Sequence, residues 1–436
     1  MRTPLNNLIF YILLFLLAAA TIPYGASEPW WQSAFQSAIF LLTALAIVAR
    51  LRAGAPLRLD LKVVFPVIAL LLYALVQSLA MLGINNGNSL SADFFHTRQF
   101  ANQIAALLCL GLLVWSLTSS QRRLRRLVCF IISIAVASAL FGLVRQGFQR
   151  NQGFILPRLM PGYGYAQFIN SNHFAYLMEM ALGLVAGLII CRQVKRKLLI
   201  FSLMAALVMF AALVLSNSRG GILSLLCQVL LLAMLLANQI SKQRKGRVSR
   251  AKQIGMGVAL AVMLLIGSIV TVVFVGGDPL SGRVRQVAVE LNPETAASYT
   301  LRRNIWSATL SLIKDHPIAG VGFGGYWIAI TKYHQASGEA TPQEAHNDYL
   351  ELLASGGIIA VIIFIWFVWA IIADARRVWA TGNEFDRAVR LGAIAGIVGV
   401  MVHSLVDFGL HVPINAMVFT VLVALVLRDA RVDLGS

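Results

Sequence analysis

Residues 345–372 read AHNDYLELLASGGIIAVIIFIWFVWAII, which joins a cluster of ionisable side chains directly to an apolar run. The run from 352 to 372 carries no charged residue. A helix rises about 1.5 Å per residue, so roughly 18 or more apolar residues cross the roughly 30 Å hydrocarbon core of a bilayer. The stretch therefore predicts a membrane helix that begins beside His, Asn, Asp and Glu.

The rest of the chain is also rich in apolar residues and poor in charged ones. Of its 436 residues, 58% are hydrophobic and only 12% are charged, which is more apolar surface than one soluble core can hide. The sequence therefore predicts an all-α polytopic membrane protein with about twelve spans. The predicted spans are 6–22, 31–49, 63–82, 101–118, 126–144, 173–191, 198–216, 220–239, 254–275, 352–372, 388–408 and 410–427.

The distribution of Lys and Arg predicts the orientation, because cytoplasmic loops are enriched in these residues. A cytoplasmic N-terminus puts most of the 36 Lys and Arg residues on that side, including RRLRR at 122–126 and KQRKGRVSRAK at 242–252. Both termini are then cytoplasmic. A signal peptide ending near 25–27 is the alternative for the first run, but an uncleaved helix preserves the charge alternation. The net charge of +18 lies in short clusters between spans, which favours anionic headgroups over nucleic acid as its partner.

This orientation predicts three regions. Residues 1–275 hold spans one to nine, with an outer loop at 145–172. Residues 276–351 form a helical periplasmic lid, and residues 352–436 hold the last three spans and a short cytoplasmic tail. The long insertions both fall on the outer face, so the chemistry is expected outside the cytoplasm, away from ATP.

No metal or cofactor is predicted. The sequence has no Walker A motif, no H-E-x-x-H and no Asp-x-Asp pair of the kind that carries a divalent cation on a sugar diphosphate. The histidines other than His346 form no recognisable metal set and are expected to be structural. The four cysteines lie in or at the ends of spans and are expected to pack as small apolar side chains.

Four polar stretches mark the predicted outer face. They are FINSNHFAYL at 168–177, SNSRGG at 216–221, YTLRRNIW at 299–306 followed by KDHPIAGVGFGGYW at 314–327, and the AHNDYLELLASGG of 345–357. The GVGFGG within them is similar to a dinucleotide-binding loop, but no strand–helix–strand pattern surrounds it.

Each ionisable candidate in these stretches has a structural and a functional interpretation. Arg219 either reaches a phospholipid headgroup or, with the amides of a helix N-terminus, binds a diphosphate. Arg302 and Arg303 are either solvated on an amphipathic helix with Trp306 and Leu310 turned inward, or bind the same diphosphate. His346 is either a capping-loop histidine beside a helix capped by Asn347 or Asp348, or a general base oriented by Asp348 or Glu351.

Taken together, the motifs resemble the Wzy-C superfamily of bacterial membrane glycosyltransferases, whose members are O-antigen ligases, some O-antigen polymerases and protein O-oligosaccharyltransferases. The resemblance implies a GT-C-like fold in the inner membrane. It implies Arg219 and Arg302 as diphosphate ligands and His346 as the catalytic base. Arg303 is an adjacent diphosphate candidate, and Asn172, Asp348 and Tyr349 are supporting candidates.

The resemblance also implies a reaction. A glycan on undecaprenyl diphosphate is already activated, so transfer to a hydroxyl of the lipid A core needs neither ATP nor a metal and inverts the anomeric carbon. Within the superfamily the ligase is favoured, because protein O-oligosaccharyltransferases carry a soluble domain after the last span and this chain stops soon after it. A polymerase would need the same residues and stays open.

A transporter of lipid-linked oligosaccharides is the alternative from another class. It should bury charges at mid-membrane depth. Here the ionisable residues of the spans cluster at their outer ends, at Arg98, Arg145, Glu179, Arg219 and Asp407. This distribution favours the enzyme.

Overall fold

The computed structural model describes residues 4–52, 54, 62–79, 90–150, 153–243, 302–335, 341–379 and 382–428. All longer regular elements in these ranges are helices. They are α1 (Pro4–Thr21), α2 (Pro29–Arg52), α3 (Val64–Ser78), α4 (Phe94–Leu117), α5 (Gln121–Phe148), α6 (Ser171–Ile190), α7 (Leu199–Leu215), α8 (Arg219–Gln243), α9 (Arg302–Asp315), α10 (Asp348–Val378), α11 (Glu384–His403) and α12 (Pro413–Leu427).

The prediction of an all-α membrane protein is confirmed at this level. Within the described ranges, seven helices are long and apolar enough to cross a membrane, and three shorter apolar helices accompany them. The predicted count of twelve spans stays a prediction, as does the lid, because 254–275 and the first part of the predicted lid, 276–301, lie outside the described residues.

Two predicted boundaries are wrong near the C-terminal end. The span predicted at 388–408 is helical from Glu384 and ends at His403, and the next α-helix begins only at Pro413 after a 3-10 turn. A proline is favoured in the first turn of a helix, where its missing N–H needs no partner. The connection 404–412 is therefore not α-helical, and polar residues of this connection can face other elements.

Helix α6 is the central helix of the bundle and packs tightly on α11. A Cβ on Gly187 would lie 2.4 Å from the Ala388 carbonyl oxygen, and one on Gly183 would lie 2.7 Å from the Gly392 carbonyl oxygen. Glycine is the only residue that leaves room for two backbones at this separation. The glycines at intervals of four thus bring α6 and α11 into backbone contact.

The ends of the helices lie at two opposite ends of the bundle. At one end, Arg428 contacts Asp386 and donates to the Thr118 and Ser119 carbonyls, while Gln121 also donates to Asp386. We call this the basic end, because it also carries the RRLRR stretch at 122–126. The sequence assigns all these positions to one side of the membrane, and the structure brings them to one end of the bundle.

Helix α10 begins with a cap and is interrupted one third along its length. Of the two capping residues that the sequence allows, Asn347 rather than Asp348 caps it, by accepting from the amides of Tyr349 and Leu350. At Gly357 the backbone turns to φ 61°, which breaks the helical hydrogen bonding.

The GVGFGG loop fills this interruption. The amides of Val321 and Gly322 donate to the Ala354 and Ser355 carbonyls. Gln77 Nε2 donates to the Ala319 carbonyl, which ties α3 to the same loop. These glycines serve a helix junction, and no β-sheet for a dinucleotide fold exists in the described ranges.

Candidate functional site

The end of the bundle opposite the basic end holds the polar motifs, and we call it the motif end. Its centre is the segment 403–411, the end of α11 and the connection to α12. Elements far apart in the sequence contact this segment. Their contacts define the site.

The SNSRGG motif packs against the start of this segment. Ser218 Oγ lies 3.4 Å from His403 Nε2 and accepts a hydrogen bond from the Gly221 amide. Asn217 takes the left-handed conformation, with φ 61°, which allows the chain to turn sharply from α7 into α8. Arg219 is therefore the first residue of α8, and it is exposed at the motif end.

The 345–349 stretch contacts the same segment from the other side. The Asp348 amide donates to the Ser404 carbonyl, and the Tyr349 hydroxyl donates to the Met401 carbonyl at 2.7 Å. His346 itself has a left-handed backbone with φ 51°, and its side chain is 32% exposed. A non-glycine residue in this conformation costs free energy, and such residues cluster at functional sites.

The carboxylate nearest to His346 is Asp407. The distance from His346 Nδ1 to Asp407 Oδ1 is 3.5 Å, longer than an ordinary hydrogen bond but within the range of an ion pair, and the Asp407 side chain is fully buried. The expectation that Asp348 or Glu351 orients His346 is thus corrected. Those two carboxylates instead lie 3.6 and 3.7 Å from His411 Nε2. The start of α10 directs both side chains toward the connection that precedes α12.

Asp407 is held in its charged form. Burial by itself opposes ionisation, but His346, His173, His403 and Arg302 together outweigh it and keep the pKa of Asp407 below its ordinary value. A carboxylate beside Nδ1 favours the tautomer with the proton on Nδ1, which leaves His346 Nε2 free to accept a proton. His346 and Asp407 therefore have the chemistry of a general base with its orienting acid.

Helix α9 brings the YTLRRNIW motif to this site. Trp306 Nε1 donates to the Ala345 carbonyl at 2.9 Å, immediately before His346. Arg302 and Arg303 are exposed in the first turn of α9, and Arg302 contributes to the low pKa of Asp407. The inward face of α9 is formed by Ile305, Ala308, Thr309 and Leu312. The expected inward position of Leu310 is wrong, since it is 49% exposed.

Three imidazole rings surround Phe408. The centroid of the Phe408 ring lies 4.8 Å from that of His346, 5.0 Å from that of His173 and 5.7 Å from that of His411, all at steep angles. Edge-to-face contacts of this kind restrict ring orientation. Phe408 therefore restricts the orientation of the His346 ring.

A cavity of about 970 Å³ opens beside this cluster. Its polar wall includes His173, Glu344, Asp348, Glu351 and His411. Burial raises the pKa of Glu344 to about 6, an effect that His411 opposes and the charge of Glu351 reinforces. Most of the remaining wall is apolar and comes from α3, α4, α10 and α12. The cavity thus has a polar wall and a larger apolar wall, which match the polar headgroup and the apolar chain of a lipid.

The sequence-predicted residues divide into two groups. His346 and Asp348 contact the segment 403–411 directly, and Tyr349 donates to Met401 just before it. Arg219 follows Ser218, which contacts His403, and the charge of Arg302 acts on Asp407. Arg303 is exposed on α9, and Asn172 lies half-buried in the first turn of α6 beside His173. The roles predicted for these seven residues stay predictions.

Sequence reasoning missed several residues of the cluster. Asp407 and Glu179 are noted only as ionisable residues at span ends, and His403 and His173 are expected to be structural. For Glu179 the expected position is wrong, because it is the ninth of the 20 residues of α6. The signal for them is HSLVDF at 403–408, where His and Asp follow an apolar run. Within the part of the chain that the structure describes, no group of three His, Cys, Asp or Glu side chains is arranged to hold a metal ion.

Comparison with known proteins gives one family. Residues 204–365 match the family model Wzy_C, described as O-antigen ligase. The match includes the SNSRGG, YTLRRNIW and AHNDYLELLASGG stretches, and it ends before the segment 403–411. A search of curated proteins found no match.

Proposed function

Because residues 204–365 match the family model Wzy_C, described as O-antigen ligase, we propose that the chain transfers a glycan from undecaprenyl diphosphate to a hydroxyl of a lipid A core sugar. The observation that carries the proposal is the convergence of three motifs on one segment. Ser218 contacts His403, His346 faces Asp407, and Arg302 lowers the pKa of that same Asp407. The convergence supports one reaction centre, at the periplasmic face of the inner membrane.

In this proposal His346 is the general base. Nε2 takes the proton of the acceptor hydroxyl, whose oxygen attacks the anomeric carbon from the face opposite the diphosphate. The carbon–oxygen bond to the diphosphate breaks, the configuration inverts, and undecaprenyl diphosphate leaves. Asp407 orients the ring and stabilises the imidazolium that forms. Proton removal by a positioned base contributes typically about 10²–10⁴ in rate.

The arginines bind the leaving group. Arg219 is at the N-terminus of α8, where backbone amides and the positive end of the helix dipole favour an anion. Arg302 occupies the first turn of α9, and Arg303 is an adjacent diphosphate candidate. A guanidinium matches phosphate oxygens with two parallel hydrogen bonds and neutralises the charge that builds as the bond breaks. In this proposal arginine replaces a divalent metal.

The cavity supplies the path for an amphipathic substrate. Its apolar wall along α3, α4, α10 and α12 suits an acyl or prenyl chain, and its polar wall lies beside the His346 loop. Asp348 and Tyr349 line it directly, so they are placed to contact a sugar. Carboxylates at this wall accept hydrogen bonds from sugar hydroxyls and disfavour a diphosphate. This charge distribution supports separate positions for the two lipids.

The test is a reconstituted transfer reaction in liposomes that contain undecaprenyl-diphosphate-linked glycan and EDTA, with and without lipid A core. The wild type is expected to form a larger core glycolipid only when both lipids are present, and His346→Ala is expected to lose this product. His316→Ala is the matched control, since His316 is an exposed histidine just after α9. It should retain wild-type activity.

Two results would contradict the proposal. Lengthening of the lipid-linked glycan without any core acceptor would show a polymerase. Inhibition by EDTA that magnesium or manganese reverses would show that a metal, rather than arginine, stabilises the diphosphate.

A further inference from the structure

A carboxylate is fully buried in α6, one of the helices long enough to span the membrane. Glu179 lies eight residues after Ser171, about 12 Å along the helix at about 1.5 Å per residue, and its side chain is 0% exposed. An ionisable side chain inside an apolar span is costly to bury and is therefore retained for a specific interaction. The proposed mechanism does not use this residue.

The partner of Glu179 is His403, which is also fully buried. Glu179 Oε2 lies 3.2 Å from His403 Nδ1, and the opposite ring nitrogen, Nε2, lies 3.4 Å from Ser218 Oγ. A carboxylate at Nδ1 selects the tautomer with the proton on that nitrogen, so Nε2 accepts from the Ser218 hydroxyl. The hydroxyl in turn accepts from the Gly221 amide, in the first turn of α8.

The residues packed around His403 restrict the movement of its ring. Tyr176 stacks on the His403 ring with 4.1 Å between centroids, and its hydroxyl lies 3.2 Å from Ser404 Oγ. A Cβ at Gly220 would come within 2.4 Å of the same ring. The ring is held between α6 and the start of α8. Its position therefore determines where α8 begins.

We propose that Glu179 and His403 are positioning residues that act through Ser218 to fix Arg219 for diphosphate binding. Ser218 precedes Arg219 directly, and Gly220 follows it against the ring, so both neighbours of Arg219 are set by His403. A positioned guanidinium binds a diphosphate more tightly than one that must first be ordered. The inference rests on the proposed function, since it takes Arg219 as a diphosphate ligand.

The test is binding of undecaprenyl diphosphate to the full chain in lipid nanodiscs, with undecaprenol as the lipid that lacks the diphosphate. Glu179→Met removes the acceptor for His403 Nδ1 and is expected to weaken binding about tenfold, or about 1.4 kcal/mol. Glu179→Gln keeps an acceptor oxygen and is expected to bind within about threefold of wild type. Glu28→Met makes the same change at the Arg158 contact and should leave binding unchanged.

A double-mutant cycle separates positioning of Arg219 from general loosening of the fold. In an Arg219→Ala background, Glu179→Met should weaken binding less than about twofold further, because the residue it positions is gone. Equal losses in the two backgrounds, or wild-type binding by Glu179→Met, would overturn the inference. Ser218→Ala, which removes only the hydroxyl, replaces Glu179→Met in the cycle if that variant does not fold.

The proposed function fails in a different way. If wild-type protein binds undecaprenyl diphosphate no more tightly than undecaprenol, the chain has no diphosphate site, and both the function and the inference are overturned. If the wild type discriminates between the two lipids and the cycle shows no coupling, only the positioning role is lost.

Discussion

At the scale of single residues, the site depends on pairs that the chain order separates. His346 and Asp407 lie in different loops, and their 3.5 Å contact exists because the amide of Asp348 is hydrogen-bonded to Ser404. This bond aligns the start of α10 with the end of α11. His346 and Asp407 are thereby held by backbone rather than by flexible side chains.

Asp407→Asn tests the pairing. The amide still fills the space but loses the charge that stabilises the imidazolium, so we expect kcat to fall about 100-fold or more, with little change in KM for the lipid-linked glycan. Since the pKa of Asp407 lies below its ordinary value, the wild-type carboxylate is ionised throughout the neutral range, and a loss should be seen at both pH 6 and pH 8.

Asp315→Asn is the control for this measurement. Asp315 is exposed at the end of α9, where it accepts a hydrogen bond from the Tyr333 hydroxyl. It should retain wild-type kcat. Full activity of Asp407→Asn would remove Asp407 from the mechanism.

Glu344 gives a pH dependence of stability. Its pKa is raised to about 6, chiefly by burial, so the folded state favours the protonated form. Above the ordinary pKa of 4.5, the unfolded chain releases this proton more readily than the folded protein, and stability is lost as the pH rises through about 6. Glu344→Gln should therefore have the Tm of wild type at pH 4.5 and a higher Tm at pH 7.5. If Glu344→Gln and wild type have the same Tm at pH 4.5 and again at pH 7.5, burial does not raise the pKa of Glu344.

At the scale of elements, the contact between α6 and α11 holds the motif end together. Both helices contribute to the Glu179–His403 pair, and their backbones touch at Gly183, Gly187, Gly392 and Gly396. Lipid gives no hydrophobic force between helices, so close packing and hydrogen bonds must hold them. The glycines thus determine how precisely the polar residues above them align.

Gly187→Ala is expected to destabilise the protein by about 1–3 kcal/mol, the usual range for overpacking a tight contact. Its Cβ would lie 2.4 Å from the Ala388 carbonyl oxygen, so a helix must shift. Gly147→Ala in α5 is the matched control, because its Cβ would meet no atom within 4 Å. Thermal unfolding in detergent measures both variants, and equal Tm values for the two would contradict the close approach of α6 and α11.

At the scale of the molecule, the cavity extends from the apolar interior to the polar residues of the motif end. Its volume of about 970 Å³ is lined by α3, α4, α10 and α12, and its polar residues lie at the motif end. Under the proposed function, this chamber receives the chain of an amphipathic lipid, and the headgroup reaches the polar wall.

Leu112→Trp, on the cavity wall in α4, should reduce transfer because the larger ring occupies the space for a lipid chain. We expect at least a tenfold loss of kcat/KM with full-length lipid substrates and a smaller loss with short-chain analogues of the lipid that occupies the cavity. Leu72→Trp is the control, since Leu72 is 56% exposed on α3 and does not line the cavity. Equal losses with long and short chains would show that the cavity holds no substrate chain.

Much of the molecule was predictable from local sequence. Apolar runs predict the helices and their approximate ends, because the cost of exposing a polar backbone to lipid leaves few alternatives. The cap at Asn347 follows from a polar residue at the start of an apolar run. The motif residues Arg219, Arg302 and His346 stand out because charged residues are rare in such a composition. These features depend only on near neighbours in the chain.

The partners of those residues were decided by the tertiary structure. Nothing within 345–357 indicates that His346 faces Asp407 while Asp348 and Glu351 face His411. The non-helical connection 404–412 lies within predicted apolar spans, and hydropathy alone cannot show that it turns a carboxylate toward another loop. These contacts follow from glycine-mediated approach of α6 to α11 and from hydrogen bonds between distant loops. The sequence determines which groups lie at one end of the bundle. Packing determines which of these groups come into contact, because contact depends on the rotation and separation of the helices, and no local sequence pattern encodes these.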